Sequence, residues 1–76
     1  IGGTATVVLN GADEEAVFAF LDGRIKLYDI YEITEKIYSS HTPILNPSID
    51  EIFAADKEIR EKTRALIREC YQCLSI

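Results

Sequence analysis

Residues 2–21 read GGTATVVLNGADEEAVFAFL, and this stretch decides the fold that the sequence predicts. Its second half, Ala16–Leu21, is apolar on every side of a helix, which is typical of a helix with neighbours on several faces. Gly23 follows at the position where a helix end favours a residue free to adopt a left-handed conformation. We therefore expect a central helix at about residues 4–22, with the rest of the chain packed against it.

The start of this helix has a competing interpretation. Thr4–Leu9 followed by Asn10-Gly11 has the composition of a strand that enters a tight turn. No second alternating run follows to pair with it, and an isolated strand is not stable. We therefore favour a helix that starts near Thr4 or restarts at Asn10, which has Asp13 three residues later, in the relation of a capping box.

Two further helices are predicted at residues 29–40 and 48–71. Asp29 is the expected N-cap of the first, with Glu32 at its third position, and Ser48 and Glu51 form the same pair in the second. Apolar residues recur at helical spacing in both segments and predict one buried face each. These residues are Ile30, Ile33, Ile37 and Tyr38 in the first, and Ile49, Ile52, Phe53, Ile59, Leu66, Ile67 and Cys70 in the second.

Asp56 falls on the apolar face of the last helix, and Arg60, four residues later, is its expected partner. Lys57–Glu61 and Glu58–Lys62 have the same spacing. Arg24–Tyr28 is expected to be a short connector with Ile25 and Leu27 on one side. The 76 residues therefore predict one all-α domain, a three-helix bundle.

Composition narrows the function classes. The net charge of −5 argues against nucleic acid, whose binding depends on neutralising phosphates. No apolar run approaches the roughly 20 residues of a membrane span, and the start lacks the pattern of a signal peptide. The sequence begins at Ile1 and contains no methionine, so we expect a piece of a longer polypeptide.

Few residues suggest chemistry. Cys70 and Cys73 form a CxxC at the C-terminal end of a helix, where the dipole disfavours a thiolate, so packing is the favoured interpretation and reversible oxidation the alternative. Zinc would need four ligands, and His41 is the single histidine.

The acidic pairs are better explained by helix geometry than by catalysis. Adjacent carboxylates in Asp13–Glu15 and in Asp50-Glu51 point in different directions, and acids suit the first turns of helices. His41 is expected to interact with a helix C-terminus. Gly2-Gly3-Thr4 at a helix start suggests a phosphate cradle only weakly, since no strand precedes it.

Residues 2–30 resemble the C-terminal region of 1-deoxy-D-xylulose-5-phosphate reductoisomerases, which typically read GGTAPxVLNAANExAVxAFLxGxIxFxDI. The resemblance continues in His41-Thr42-Pro43, in Pro47–Ile52 and in Ala55-Asp56 followed by Arg60. This sequence departs from the family pattern in positions that affect helix geometry and packing. They are Thr6 for proline, Gly11 for alanine, Asp13 for asparagine, Leu27 for an aromatic residue and Glu58 for a common tryptophan.

The resemblance implies a supporting helical domain of an enzyme that isomerises and reduces 1-deoxy-D-xylulose 5-phosphate to 2-C-methyl-D-erythritol 4-phosphate, in isoprenoid biosynthesis. It implies NADPH and a divalent metal (Mg, Mn or Co) for the parent enzyme, in the bacterial cytoplasm or a plastid. The family's catalytic, cofactor and metal residues lie upstream, so none is assigned to this chain. The expected partners are those upstream domains and a second copy in a homodimer.

The resemblance also implies an incomplete four-helix bundle, whose first helix would end near Ile1. Two alternatives remain open. An acyl-carrier-like module is suggested by Ser48-Ile49-Asp50, which is similar to a phosphopantetheine attachment site, but Pro47 replaces the expected aspartate. The other alternative is a generic helical interaction module.

Overall fold

The computed structural model describes residues 3–71, and over this range the chain is helical with short connections. Helix α1 spans Ala5–Leu21, α2 spans Leu27–Ser39 and α3 spans Ile49–Leu66, continued by a π-helical turn at Ile67–Tyr71. The predicted all-α, three-helix fold is confirmed. The strand interpretation of residues 4–9 and the restart at Asn10 are wrong, because α1 runs through both segments without a break.

Helices α1 and α3 run in the same direction, and α2 runs against them. Gly11 of α1 lies against Ile59 of α3, and Glu15, one turn later, reaches Arg64. Two clusters of buried apolar side chains fill the space between the helices. One contains Ala16, Ala19, Ile25, Ile33 and Ile67, and the other contains Val8, Ala12, Ile37 and Ile59.

The inner face of α1 is built from small residues. Ala12, Ala16 and Ala19 are fully buried, whereas Phe18 is 53% exposed and Leu21 is 74% exposed. The expectation that Ala16–Leu21 is covered on several faces is therefore wrong for the described part of the chain. The alanines allow α2 and α3 to approach α1 closely. The larger apolar residues Phe18 and Leu21 lie on the opposite, outer side of α1.

The apolar faces of α2 and α3 are narrower than the sequence predicts. Tyr38 is 46% exposed, and Ile49 and Phe53 are both 69% exposed. Cys70 is also exposed. All four were assigned to buried faces. They have the right periodicity, but α1 does not extend far enough around α2 and α3 to cover them.

Capping residues set the helix boundaries. Gly23 has φ +78° and donates to the Phe20 carbonyl, while Arg24 N donates to the Ala19 carbonyl, so Gly23 terminates α1 just after its last residue, Leu21, as predicted. Ser48 Oγ accepts from Glu51 N at 3.1 Å and Glu51 Oε1 accepts from Ser48 N at 2.8 Å, which confirms the capping box of α3.

The predicted start of α2 is wrong by two residues. Helix α2 begins at Leu27, and Asp29 is its third residue rather than its N-cap; its carboxylate accepts from Lys26 N at 2.9 Å. Glu32 therefore has no capping role. Leu27 is 60% exposed while Ile25 is buried, so the two do not share a side. An acid at the third helical position can accept from a free backbone N–H at the helix start, just as an N-cap side chain can. The sequence pattern therefore does not distinguish the two positions, and the predicted start was displaced.

Candidate functional site

An ion cluster joins α1 to α3, and its central acid is Glu15, which is 8% exposed. Glu15 Oε2 accepts from Arg60 Nη1 at 3.0 Å, and Oε1 accepts from Arg64 Nε at 3.1 Å. Burial alone raises the pKa of Glu15, but the hydrogen bonds from Arg64 and Arg60 outweigh it and leave the pKa below its usual value. Glu15 is therefore held as a carboxylate by two guanidinium groups.

Arg60 is the member of this cluster with the most partners. Its Nε donates to both carboxylate oxygens of Asp56 at 3.1 Å, and its Nη2 donates to Glu14 Oε1 at 2.7 Å. Hydrogen bonds to the carboxylates of Glu14 and Glu15 raise the pKa of Arg60 above its ordinary value. We call Glu14, Glu15, Asp56, Arg60 and Arg64 the Arg60 cluster.

The Arg60 cluster confirms one sequence prediction and corrects another. Asp56 and Arg60 pair as their spacing predicts, whereas neither Lys57–Glu61 nor Glu58–Lys62 forms an ion pair within residues 3–71. The acids Asp13–Glu15 lie in the middle of α1 rather than in a first turn. The pairing of Glu14 and Glu15 with α3 was missed because the partners are 45 or more residues apart.

A second polar junction connects the start of α1 to the loop between α2 and α3. Thr4 is fully buried; its Oγ1 accepts from Ile44 N at 2.9 Å and lies 2.8 Å from His41 Nε2. Thr4 N donates to the Ile44 carbonyl at 3.2 Å. Two motifs quoted separately for the family resemblance, Gly-Gly-Thr and His-Thr-Pro, therefore meet at this point. We call Thr4, His41 and Ile44 the Thr4 junction.

The Thr4 junction changes the interpretation of two candidate residues. The main-chain N of His41 donates to the Tyr38 carbonyl at the end of α2, but the His41 ring, which was expected to interact with a helix C-terminus, binds Thr4. At Gly3, with φ +43°, an added Cβ would lie 2.1 Å from the Ile44 carbonyl oxygen. That carbonyl also accepts from Thr4 N, so the Thr4 amide is already engaged and is not free for a phosphate. Gly2 lies outside the described residues.

The opposite end of the bundle contains a cleft of about 480 Å³ beside Cys70 and Tyr71. Tyr71 donates to Glu32 Oε1 at 2.6 Å, and Lys36 Nζ lies 4.9 Å from the centre of its ring. Burial, followed by the hydrogen bond to Glu32, raises the pKa of Tyr71. Cys73 lies outside the described residues, so the structure does not test the CxxC interpretation.

The polar side chains with the most partners thus connect one helix or loop to another. Within residues 3–71, no group of three or more His, Cys, Asp or Glu side chains is arranged to hold a metal ion. No helix in that range is long and apolar enough to cross a membrane. Fold and contacts together define a helical-bundle domain fastened by interhelical ion pairs.

Comparison with known proteins gives the family. The family model described as "DXP reductoisomerase C-terminal domain" matches residues 1–62. The 1-deoxy-D-xylulose 5-phosphate reductoisomerase of Thermoanaerobacter pseudethanolicus is 50% identical over 62 residues, covering 82% of this chain and 16% of its own. This chain belongs to the DXP reductoisomerase C-terminal domain family.

Other relatives with the same name agree. The protein of Shouchella clausii is 48% identical over 64 residues, covering 84% of this chain and 17% of its own. That of Listeria innocua is 42% identical over 67 residues, covering 88% and 18%. The chain thus spans about a sixth of the length of the curated relatives it matches. No solved structure matches it significantly.

Proposed function

We propose that this chain serves as the supporting C-terminal helical domain of a longer enzyme. That enzyme would isomerise 1-deoxy-D-xylulose 5-phosphate and reduce the product with NADPH, giving 2-C-methyl-D-erythritol 4-phosphate. The observation that carries the proposal is the family match over residues 1–62, together with relatives that are named for the reductoisomerase. The bacterial cytoplasm or a plastid is the proposed location.

The test is an assay of the longer gene product that contains this chain. We expect NADPH to be consumed when 1-deoxy-D-xylulose 5-phosphate and Mg, Mn or Co are supplied, and consumption to stop when a chelator removes the metal. A purified, folded long product that leaves NADPH unchanged at every metal tested would contradict the proposal.

We further propose that this chain contributes no catalytic, cofactor or metal residue to that reaction. The support is that its carboxylates and hydroxyls with possible chemistry are engaged elsewhere. Glu15 is bound by two arginines, Thr4 holds the loop, and Ser48 caps α3. Residues 3–71 contain no group of His, Cys, Asp or Glu side chains arranged to bind a metal ion. We therefore assign no metal ligand to this chain.

Calorimetric titration of the 76-residue chain tests this part. Neither NADPH nor Mn²⁺ is expected to bind, and saturable micromolar binding of either would contradict it. The acyl-carrier alternative has no support, because the matching family and the similar relatives are reductoisomerases. Intact mass after incubation with a phosphopantetheinyl transferase is expected to be unchanged.

Finally, we propose that the 76-residue chain self-associates as a symmetric dimer. The support is the exposed apolar surface of α1, where Phe18 and Leu21 are 53% and 74% exposed. A fourth helix of the longer enzyme, as the resemblance implies, would cover part of this surface, and a second copy replaces it. Sedimentation over a wide concentration range is the test, and a monomer at every concentration would contradict the proposal.

A further inference from the structure

The side-chain oxygen of Thr4 meets two polar atoms at the Thr4 junction. Thr4 Oγ1 accepts from Ile44 N at 2.9 Å and lies 2.8 Å from His41 Nε2, and within residues 3–71 these are its hydrogen-bond partners. Thr4 is fully buried, so water does not reach the hydroxyl. The direction of the bond between Thr4 and His41 therefore follows from counting the donors and acceptors at this point.

The position of the Thr4 hydroxyl is fixed from both sides. Thr4 N donates to the Ile44 carbonyl at 3.2 Å, so the residue whose amide binds the Thr4 side chain also holds the Thr4 main chain. Gly3 approaches the same carbonyl so closely that a Cβ would find no room there. Thr4 Oγ1 therefore cannot turn away without leaving the Ile44 amide unpaired, which is unfavourable for a buried N–H.

One arrangement of hydrogens satisfies every group at the junction. The Ile44 amide can only donate, so it occupies one lone pair of Thr4 Oγ1. If His41 Nε2 also donated to this oxygen, the hydroxyl hydrogen of Thr4 would be buried without an acceptor within the described range. If Nε2 carries no hydrogen, it accepts that hydrogen and all three groups are paired. A neutral imidazole then carries its hydrogen on Nδ1.

We propose that His41 is held as the neutral Nδ1–H tautomer and is the acceptor that locks the start of α1 to the α2–α3 loop. Hydrogens run in one direction through the lock, from Ile44 N to Thr4 Oγ1 and from the Thr4 hydroxyl to His41 Nε2. Hydrogen bonds linked in this way polarise and strengthen one another. The ring is partly exposed, so Nδ1–H can donate to water.

This assignment limits what the His41 ring can do. Thr4 occupies the lone pair of Nε2, and Nδ1 carries a hydrogen, so neither nitrogen offers a free lone pair while the junction is closed. A general base and a metal ligand both need such a lone pair. His41 is therefore a positioning residue, and this role does not depend on the reaction proposed above for the longer enzyme.

Nitrogen-15 NMR of the 76-residue chain tests the assignment directly, because His41 is the single histidine and its ring signals stand alone. The spectrum is recorded at about pH 8.5, where an imidazole is ordinarily neutral. We expect the shifts of the two ring nitrogens to show a hydrogen on Nδ1 and none on Nε2. A hydrogen on Nε2, or averaged shifts from two exchanging tautomers, would overturn the proposal.

Two variants of Thr4 show whether its hydroxyl selects the tautomer. Thr4→Ser keeps the hydroxyl and is expected to keep the Nδ1–H form. Thr4→Val removes the donor to His41 Nε2 and is expected to lose the preference for that form. An Nδ1–H form that persists undiminished in Thr4→Val would mean that another contact selects it, and would overturn the proposal.

Hydrogen exchange of the Ile44 amide tests the lock with Thr4 unchanged. His41→Ala leaves the Thr4 hydroxyl without its acceptor, so the Ile44 amide is expected to exchange at least about fivefold faster. Thr42→Ala, at the exposed neighbouring position, is the control and is expected to leave the rate unchanged. No acceleration in His41→Ala, or the same acceleration in both variants, would overturn the proposal. NADPH and the sugar phosphate take no part in these readouts, so their failure leaves the proposed function untouched.

Discussion

The apolar core and the Arg60 cluster both connect α1 to the rest of the bundle, yet they do so by different physical means. The core joins α1 to both neighbours through side chains such as Ala16 and Ile33, which no water reaches. The Arg60 cluster joins α1 to α3 through charges at the rim, where the Arg60 side chain is 25% exposed. Burial in the core is non-directional, whereas the cluster depends on particular partners, so the core supplies stability and the cluster fixes the position of α1 on α3.

The largest expected effect comes from the core. Ile33→Ala is expected to destabilise the chain by about 3 kcal/mol, because Ile33 is fully buried and its loss leaves a cavity. In a domain this small, whose total stability is on the order of 5 kcal/mol, that change removes more than half of the free energy of unfolding. The measurement is the urea midpoint. Ile49→Ala, at a residue 69% exposed, is the control and is expected to change little.

The Thr4 junction is expected to contribute less than the core. Thr4→Val keeps the shape of the side chain but removes the acceptor of Ile44 N and the partner of the His41 ring. We expect a loss of about 1–2 kcal/mol, since buried polar groups are left without partners. Thr6→Val, at an exposed position of the same helix, is the control. Equal effects of the two changes would mean that the hydroxyl of Thr4 does not hold the loop.

Acid is expected to weaken the Arg60 cluster without acting on the core. The pKa of Glu15 is lowered on folding, so its stabilising contribution is fully present above the usual value of 4.5 and is lost as the pH falls through the lower folded value. Glu15→Gln should therefore cost about 1 kcal/mol at pH 7 and little below that range. Urea unfolding from pH 7 to pH 3 measures this, with the exposed Glu35→Gln as the control. A constant difference across the range would contradict it.

The core and the cluster also differ in how far the sequence predicts them. Helical spacing identified Ile33, Ile37 and Ile59 as buried, because an apolar face is a local, periodic pattern. The same pattern overestimated the burial of Ile49 and Phe53. Periodicity shows which face of a helix is apolar but not how far the neighbouring helices cover it.

Polar contacts were predicted only where both partners lie on one helix. Asp56–Arg60 and Ser48–Glu51 follow from spacing. Glu15–Arg60 and Thr4–His41 join residues 45 and 37 positions apart, and no local rule relates such residues. The motifs of the resemblance contained Thr4 and His41, but nothing in them indicated that these residues touch.

The smallest expected effect concerns the close approach of α1 and α3. A Cβ on Gly11 would lie 3.4 Å from Ile59 Cγ2 and 3.5 Å from Asp56 Oδ1, which is ordinary contact. Gly11→Ala is therefore expected to raise the free energy of unfolding by about 0.5–1 kcal/mol, because glycine in a helix interior is less favourable than alanine. The control is Gly23→Ala, which should destabilise because φ there is +78°. Destabilisation by Gly11→Ala would mean that the contact leaves no room for a methyl group.

The central claim is that Glu14 and Glu15 fasten α1 to α3, and we propose that they are not held for a ligand or a metal. A double-mutant cycle on Glu15→Gln and Arg60→Met, read by urea unfolding, tests it most directly. We expect each single change to destabilise the chain, with a coupling energy of about 1 kcal/mol for the pair, since the two groups are 3.0 Å apart at a largely buried carboxylate. If Glu15 were instead kept for function at a cost to stability, its removal would raise stability, and the two changes would be additive. That result would contradict the account.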